Sequence, residues 1–259
     1  MKLSVSVSIL FGTWGQKMEM DVFLKSMETV KKAGYDGIEF LNWWEVDLDA
    51  VVEKKKELGL EVATIMMRNG TLGDPKEKEP FLAELKATID AAHKLGCKNI
   101  IVGPGHTQMF LSEQTFWKNM IACFREAKKV LDGQGITLLI EPVNVKVDHA
   151  GLFLSSSKDA FLLAQIIDDP NIKILYDIYH QQITDGNVLE TISMNIDRIG
   201  HFHAAGMPGR AELEYSELDY AYVVKEIDRM GFDGYLGMEY TPTMDRYEGL
   251  VRTRKLLYG

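Results

Sequence analysis

Four residues of metal-binding or proton-transferring type recur through the second half of the chain at intervals of 36, 26 and 36 residues: Glu141, Asp177, His203 and Glu239. Each closes or follows a short apolar run, in "TLLIEP", "IKILYDI", "IGHFHAA" and "GYLGMEY". Carboxylates are poor residues for strand interiors and costly to bury without a partner. One glutamate in such a place is ordinarily salt-bridged or solvated. Three carboxylates and a histidine in the same place on four successive runs call for a shared compensation, and a divalent cation supplies it. Three oxygens and one nitrogen suit Mn²⁺, Mg²⁺ or Co²⁺, with Zn²⁺ also compatible.

Further polar residues gather around the same positions. Glu39 in "GIEFL" is a substrate contact, a support for the ligands or a structural group, and Trp43 and Trp44 after it can pack substrate or wall. His106 follows "NIIVGP" and either reaches substrate or caps its strand. His180 lies three residues beyond Asp177 and is expected to touch substrate, while His149 is placed near the rim. His201 shares a strand face with His203 and reads as a supporting histidine deeper in the fold. Arg210 follows a Pro-Gly pair in a loop that looks mobile, where a guanidinium can clamp a carboxylate or hydroxyls.

The elements that would position these residues alternate along the whole chain. Strands are expected at 3–10, 37–41, 61–67, 99–104, 137–142, 172–178, 199–205 and 234–240, several of them continuous apolar runs of the doubly buried kind. Helical periodicity fills the intervals at 22–34, 48–59, 81–96, 112–135, 156–169, 188–196, 217–231 and 244–257. Glycines close the first three, and Ser112 and Ser157 are plausible N-caps. Eight βα units in strict alternation, with no linker-like stretch, predict an α/β fold: one (β/α)₈ TIM barrel domain over residues 1–259. No G-x-G-x-x-G follows the first strand and no P-loop occurs, which disfavours a doubly wound nucleotide-binding sheet. A barrel of this kind carries its active site at the C-terminal ends of its strands.

The totals narrow the partners. Thirty-eight acidic against 29 basic residues give a net charge of −9, which argues against nucleic acid as the main partner. No apolar run reaches membrane-spanning length. The opening "MKLSVSVSILFGTWG" alternates like a strand and does not look like a targeting segment. Cys97 and Cys123 have no paired spacing and read as buried, reduced thiols. A cytoplasmic protein acting on small molecules is expected. Exposed apolar helices of such barrels often pair, so a homo-oligomer is compatible with the sequence.

With these residues in hand, the chain resembles the sugar isomerase and epimerase barrels related to xylose isomerase, most of all the hydroxypyruvate isomerase family. The likeness runs throughout and is densest from Ile140 to Tyr240, in "IEPVN", "GLFLSSSKDA", "LYDIYHQQ", "RIGHFHAAGMPGR" and "MEY". It implies that Glu141, Asp177, His203 and Glu239 hold the metal, that Glu141 and Glu239 transfer protons, and that His180 and Arg210 contact a sugar or hydroxy-ketoacid. The implied reaction is an aldose–ketose interconversion through an enediolate. His203 is the ligand type of ketose 3-epimerases, where typical hydroxypyruvate isomerases carry glutamine. "AELEYSELDY" follows Arg210 in place of the family's His-Glu-Pro-Gly segment, and the loop 68–80 is shorter than usual there. A 3-epimerase is therefore the alternative. The same superfamily includes polyol dehydratases and abasic-site endonucleases, and a non-catalytic sugar-binding barrel is a further hypothesis to set against it.

Overall fold

Eight parallel strands follow one another in chain order and close on themselves. They are β1 (Lys2–Ser6), β2 (Gly37–Phe40), β3 (Glu61–Met66), β4 (Asn99–Val102), β5 (Thr137–Ile140), β6 (Ile172–Asp177), β7 (Ile199–Ala204) and β8 (Tyr235–Met238). Closure runs through the parallel β1–β8 pair, with Val5 beside Met238. This computed structural model describes residues 1–13, 16–68 and 72–259, so residues 69–71 of the short 68–80 loop lie outside the described residues. The expected TIM barrel is the fold. Its strands are buried almost without interruption, because helices cover their outer faces and side chains fill the interior.

Ten α-helices surround the barrel among the described residues: α1 (Val7–Leu10), α2 (Met20–Lys32), α3 (Leu48–Leu58), α4 (Lys78–Leu95), α5 (Glu113–Leu131), α6 (Ser157–Ile167), α7 (Ile178–Thr184), α8 (Val188–Asn195), α9 (Tyr220–Arg229) and α10 (Arg246–Tyr258). Gly59 and Gly96 cap α3 and α4 in the left-handed conformation, at φ of 62° and 67°. Ser112 caps α5, its hydroxyl accepting from the Thr115 amide at 3.2 Å.

Three expectations need correction. The first strand stops at Ser6, not Leu10, because Val7 and Leu10 are buried one helical turn apart and the chain turns inward there. The second is α7, a helix in the interval left between the strand expected at 172–178 and the helix expected at 188–196. Asp177 caps it, accepting from the His180 amide at 3.2 Å, so the strand-end carboxylate itself starts a helix. The third is Ser157, which lies inside α6 and donates its hydroxyl to Asp185 at 2.9 Å, leaving Ser156 at the cap position. Among the described residues no helix is long and apolar enough to cross a membrane.

The barrel interior is divided. Ile101, Leu139 and Leu175 form a small apolar cluster with Met66 against it. Elsewhere inside lie Ser4, Glu39, Thr64 and His201, all buried. The site is built above this polar part.

Candidate active site

Register aligns the polar strand ends. Asp177 pairs with His203, and His203 with Gly237, so the β6, β7 and β8 ends stand side by side. Glu141 and Glu239 come one residue past their strands. Each remains pinned by a ladder bond, from Glu141 N to Val102 O at 3.2 Å and from Glu239 N to Ala204 O at 3.0 Å.

His203 sits between the two glutamates. Its Nδ1 lies 3.7 Å from Glu141 Oε1 and 3.7 Å from Glu239 Oε2. That nitrogen is buried and has no hydrogen-bond partner. Nε2 points the other way, 2.8 Å from Glu39 Oε2. One ligand atom each from Glu141, Asp177, His180 and Glu239 also lie within 4.8 Å of one another. Glu141, Asp177 and Glu239 thus come together with His180, while His203 groups with Glu39 and His201 and reaches the carboxylates through Nδ1, 3.7 Å from Glu141 and from Glu239. His180 is less free than His203: its Nδ1 is 2.7 Å from the Asn144 amide nitrogen, and its Nε2 is 3.6 Å from Asp177 Oδ2.

Burial and crowding of like charge tune these groups. Burial above all, with the Glu239 charge added, pushes the Glu141 carboxyl up to about 7, although His203 pulls against it. For His203 burial disfavours the charged ring, but Glu239 and Glu39 outweigh it and hold the imidazole well above its ordinary value. Burial also opposes ionisation of Glu39, yet its two histidine partners keep it well below the usual carboxylate range. His180 goes the other way: burial, reinforced by the Arg210 charge, brings it down to about 3, so it is neutral at physiological pH.

Arg210 is fixed, contrary to the mobile loop expected. Its Nη2 donates to Glu239 Oε2 at 2.5 Å, and its guanidinium lies 5.4 Å from the centre of the Tyr179 ring. The loop is closed by paired backbone bonds between Gly206 and Ala211, at 2.7 and 3.2 Å, and by Thr241 N donating to Arg210 O at 2.7 Å. Arg210 itself holds φ at +53°, a left-handed conformation that costs free energy in a non-glycine residue and that this clamp maintains.

A cavity of about 540 Å³ opens at the strand ends, and Glu141, His180, Arg210 and Glu239 reach its wall. His106 and His149 also line it. Two expected substrate contacts are placed elsewhere. Glu39 is only 2% exposed and sits behind His203, because its strand position is one layer deeper than the other carboxylates. Trp43 packs against the core, since the 3₁₀ turn at Trp43–Glu45 hands the cavity to Trp44, whose ring carries the Arg68 guanidinium at 4.7 Å.

Residues not anticipated also shape the site. Asn144, fully buried, donates to Asp148 Oδ2 at 2.7 Å, and Tyr179 donates to the same oxygen at 2.9 Å. The available signal was the polar Asn144 directly after "IEPV", a strand end with no solvent to satisfy it. Gly237 is another. A Cβ there would stand 2.2 Å from Glu39 Oε1 and 2.8 Å from His203 Cδ2. Gly237→Ala is therefore expected to destabilise the protein by about 1–3 kcal/mol through overpacking, read as a lowered midpoint in urea at unchanged slope.

Residues 27–256 match the family described as xylose isomerase-like TIM barrel. Hydroxypyruvate isomerase of Escherichia coli is 30% identical over 261 aligned residues, covering 96% of this chain and 97% of its own. The 2-oxo-tetronate isomerase of Pectobacterium atrosepticum is 29% identical, over 96% of this chain and 95% of its own. Among solved structures, a Brucella melitensis protein described as a family 2 AP endonuclease superposes with a TM-score of 0.89 at 25% identity, over 98% of this chain and 99% of its own. An L-ribulose 3-epimerase superposes with a TM-score of 0.84 at 18% identity, over 99% of this chain and 93% of its own. Nearly full-length similarity to isomerases makes this protein an enzyme of the isomerase and epimerase class, and the chain belongs to the xylose isomerase-like TIM-barrel family.

Proposed function

We propose that the enzyme interconverts small hydroxy-carbonyl compounds, sugars or hydroxy-ketoacids, by proton transfer beside a carbonyl, with residues 1–259 acting as one catalytic domain. The observation that carries this is the convergence of the buried Glu141 and Glu239 carboxylates on the wall of one cavity, either side of an unpartnered His203 nitrogen. Such protons are weakly acidic, so a base must be held close and the resulting enediolate stabilised. Glu141 and Glu239 come from non-adjacent strands and can act from two sides of a substrate. General acid–base catalysis of this kind is commonly worth ~10²–10⁴-fold.

The donor set fits a divalent cation. A buried ring nitrogen with no partner and three carboxylates within a few ångströms are a costly arrangement by themselves. Glu141, Asp177, His203 and Glu239 would hold the ion, with Mn²⁺ or Mg²⁺ favoured by the oxygens. Bound there, it would supply Lewis-acid polarisation of the substrate's oxygens.

The remaining residues bind and orient. His180 is neutral, and because Asn144 donates to its Nδ1, its proton sits on Nε2, ready to donate to a substrate oxygen. Arg210 neutralises part of the carboxylate charge at Glu239 and orients that side chain. His203 also favours a second outcome at the same site, C3 epimerisation of a ketose, which shares the first proton removal. The deciding experiment incubates the enzyme and Mn²⁺ with hydroxypyruvate and a panel of ketoses in deuterated water. Solvent deuterium in an isomerised product supports the first outcome, and deuterium at C3 of an epimer supports the second. Bound ligand without exchange on any of them would point to a sugar binder and overturn the proposal.

A further inference from the structure

Glu39 is the most heavily hydrogen-bonded carboxylate around the site, and none of its partners is in the cavity. Oε1 accepts from the Ser4 hydroxyl in a short contact and lies 3.1 Å from His201 Nε2. Oε2 accepts from Thr64 Oγ1 at 2.8 Å and lies 2.8 Å from His203 Nε2. Glu39 belongs to β2 and the histidines to β7, so the contact crosses the barrel interior. Gly237 leaves the space in which it forms.

A carboxylate with four donors has no proton to give, so both histidines must present Nε2–H to it. For His203 this settles which nitrogen is left. Nδ1 carries a lone pair when the ring is neutral, and it is the atom that faces Glu141 and Glu239 at 3.7 Å. Ser4 and Thr64 hold the carboxylate from the opposite side, so the ring cannot turn without breaking a buried network.

We infer that Glu39 is a positioning residue: it fixes His203 with its proton on Nε2 and aims Nδ1 at a divalent cation held with Glu141, Asp177 and Glu239. This rests on the cation proposed above. Partners of this type orient a metal-bound histidine, and their removal typically costs 10–100-fold in metal affinity.

The test uses the full-length protein with ¹⁵N-labelled histidine, titrated with Zn²⁺ as a diamagnetic probe. In the wild type, the His203 Nε2–H signal is expected to persist on Zn²⁺ addition while the Nδ1 resonance moves. Loss of the Nε2 proton on Zn²⁺ binding would overturn the inference and needs no variant. Glu39→Gln, folded as judged by its circular dichroism, is expected to bind Mn²⁺ 10–100-fold more weakly in calorimetry. Wild-type affinity in that variant would overturn the role of Glu39 and leave the metal site standing. A wild type that binds neither ion would instead remove the metal site on which the inference rests.

Discussion

Glu141→Gln is expected to abolish solvent-proton exchange at the substrate carbon, with a loss of at least ~10²-fold and up to ~10⁴-fold. The substitution keeps shape and hydrogen-bonding capacity while removing the base. In the metal-free site burial and Glu239 raise that carboxyl's proton affinity, so the glutamine also removes a group that titrates above the ordinary carboxylate range there. Glu239→Gln should lose as much activity, but less cleanly. Arg210 bonds Glu239 at 2.5 Å with its side chain only 16% exposed, so that variant leaves a buried cation short of its counter-charge. Breaking a buried pair in this way can cost about 3–5 kcal/mol. Exchange should therefore be compared at equal folded fraction, set from the unfolding midpoint of each variant. Wild-type exchange in either folded variant would remove the two-glutamate mechanism.

How much of this was legible in the chain depends on distance along it. The eight strands were readable because a strand buried on both faces needs a continuous apolar run, and four of those runs lead directly into Glu141, Asp177, His203 and Glu239. His203 could be separated from His201 for a related reason. Two residues along β7 is one step along the same inward face, and only the later histidine lies at the level of Asp177 and Gly237. Depth across the barrel was not readable. Glu39 lies inside its apolar run, followed by Phe40 and Leu41, where Glu141 follows its own, and the register sets it level with Ser6 and Thr64, beneath the cavity. Trp43 and Trp44 pose the same difficulty, since a single 3₁₀ turn decides which ring faces inward. The end of β1 was hidden because Val7 and Leu10 suit a helical turn as well as a strand. Asn144, Asp148 and Tyr179 belong to no pattern of period two or 3.6. They are adjacent only because β5 and β6 are neighbours in the closed sheet.

Exhaustive chelation is expected to remove activity, and the same ion should set a pH-dependent part of stability. In the chelated protein Glu141 titrates at about 7, above its ordinary value, so the folded state binds a proton there that the unfolded chain has released. That group's contribution is present below the ordinary carboxylate range and is lost as pH rises towards 7. A bound cation reverses the trend, because it requires the carboxylate ionised and the His203 ring neutral, while Glu239 and Glu39 hold that ring's proton well above the ordinary imidazole value. Binding therefore releases up to two protons, and affinity should rise by roughly tenfold per pH unit for each proton displaced as pH climbs from 5.5 to 7. Mn²⁺ at a hundred times its dissociation constant should add about 2.7 kcal/mol to unfolding. At a fixed Mn²⁺ concentration the increment should grow from pH 5.5 to pH 8. Calorimetry in two buffers of different ionisation enthalpy measures the protons directly. Activity that survives chelation, or an Mn²⁺ affinity that is flat across this range, would mean that the four residues do not hold the ion together.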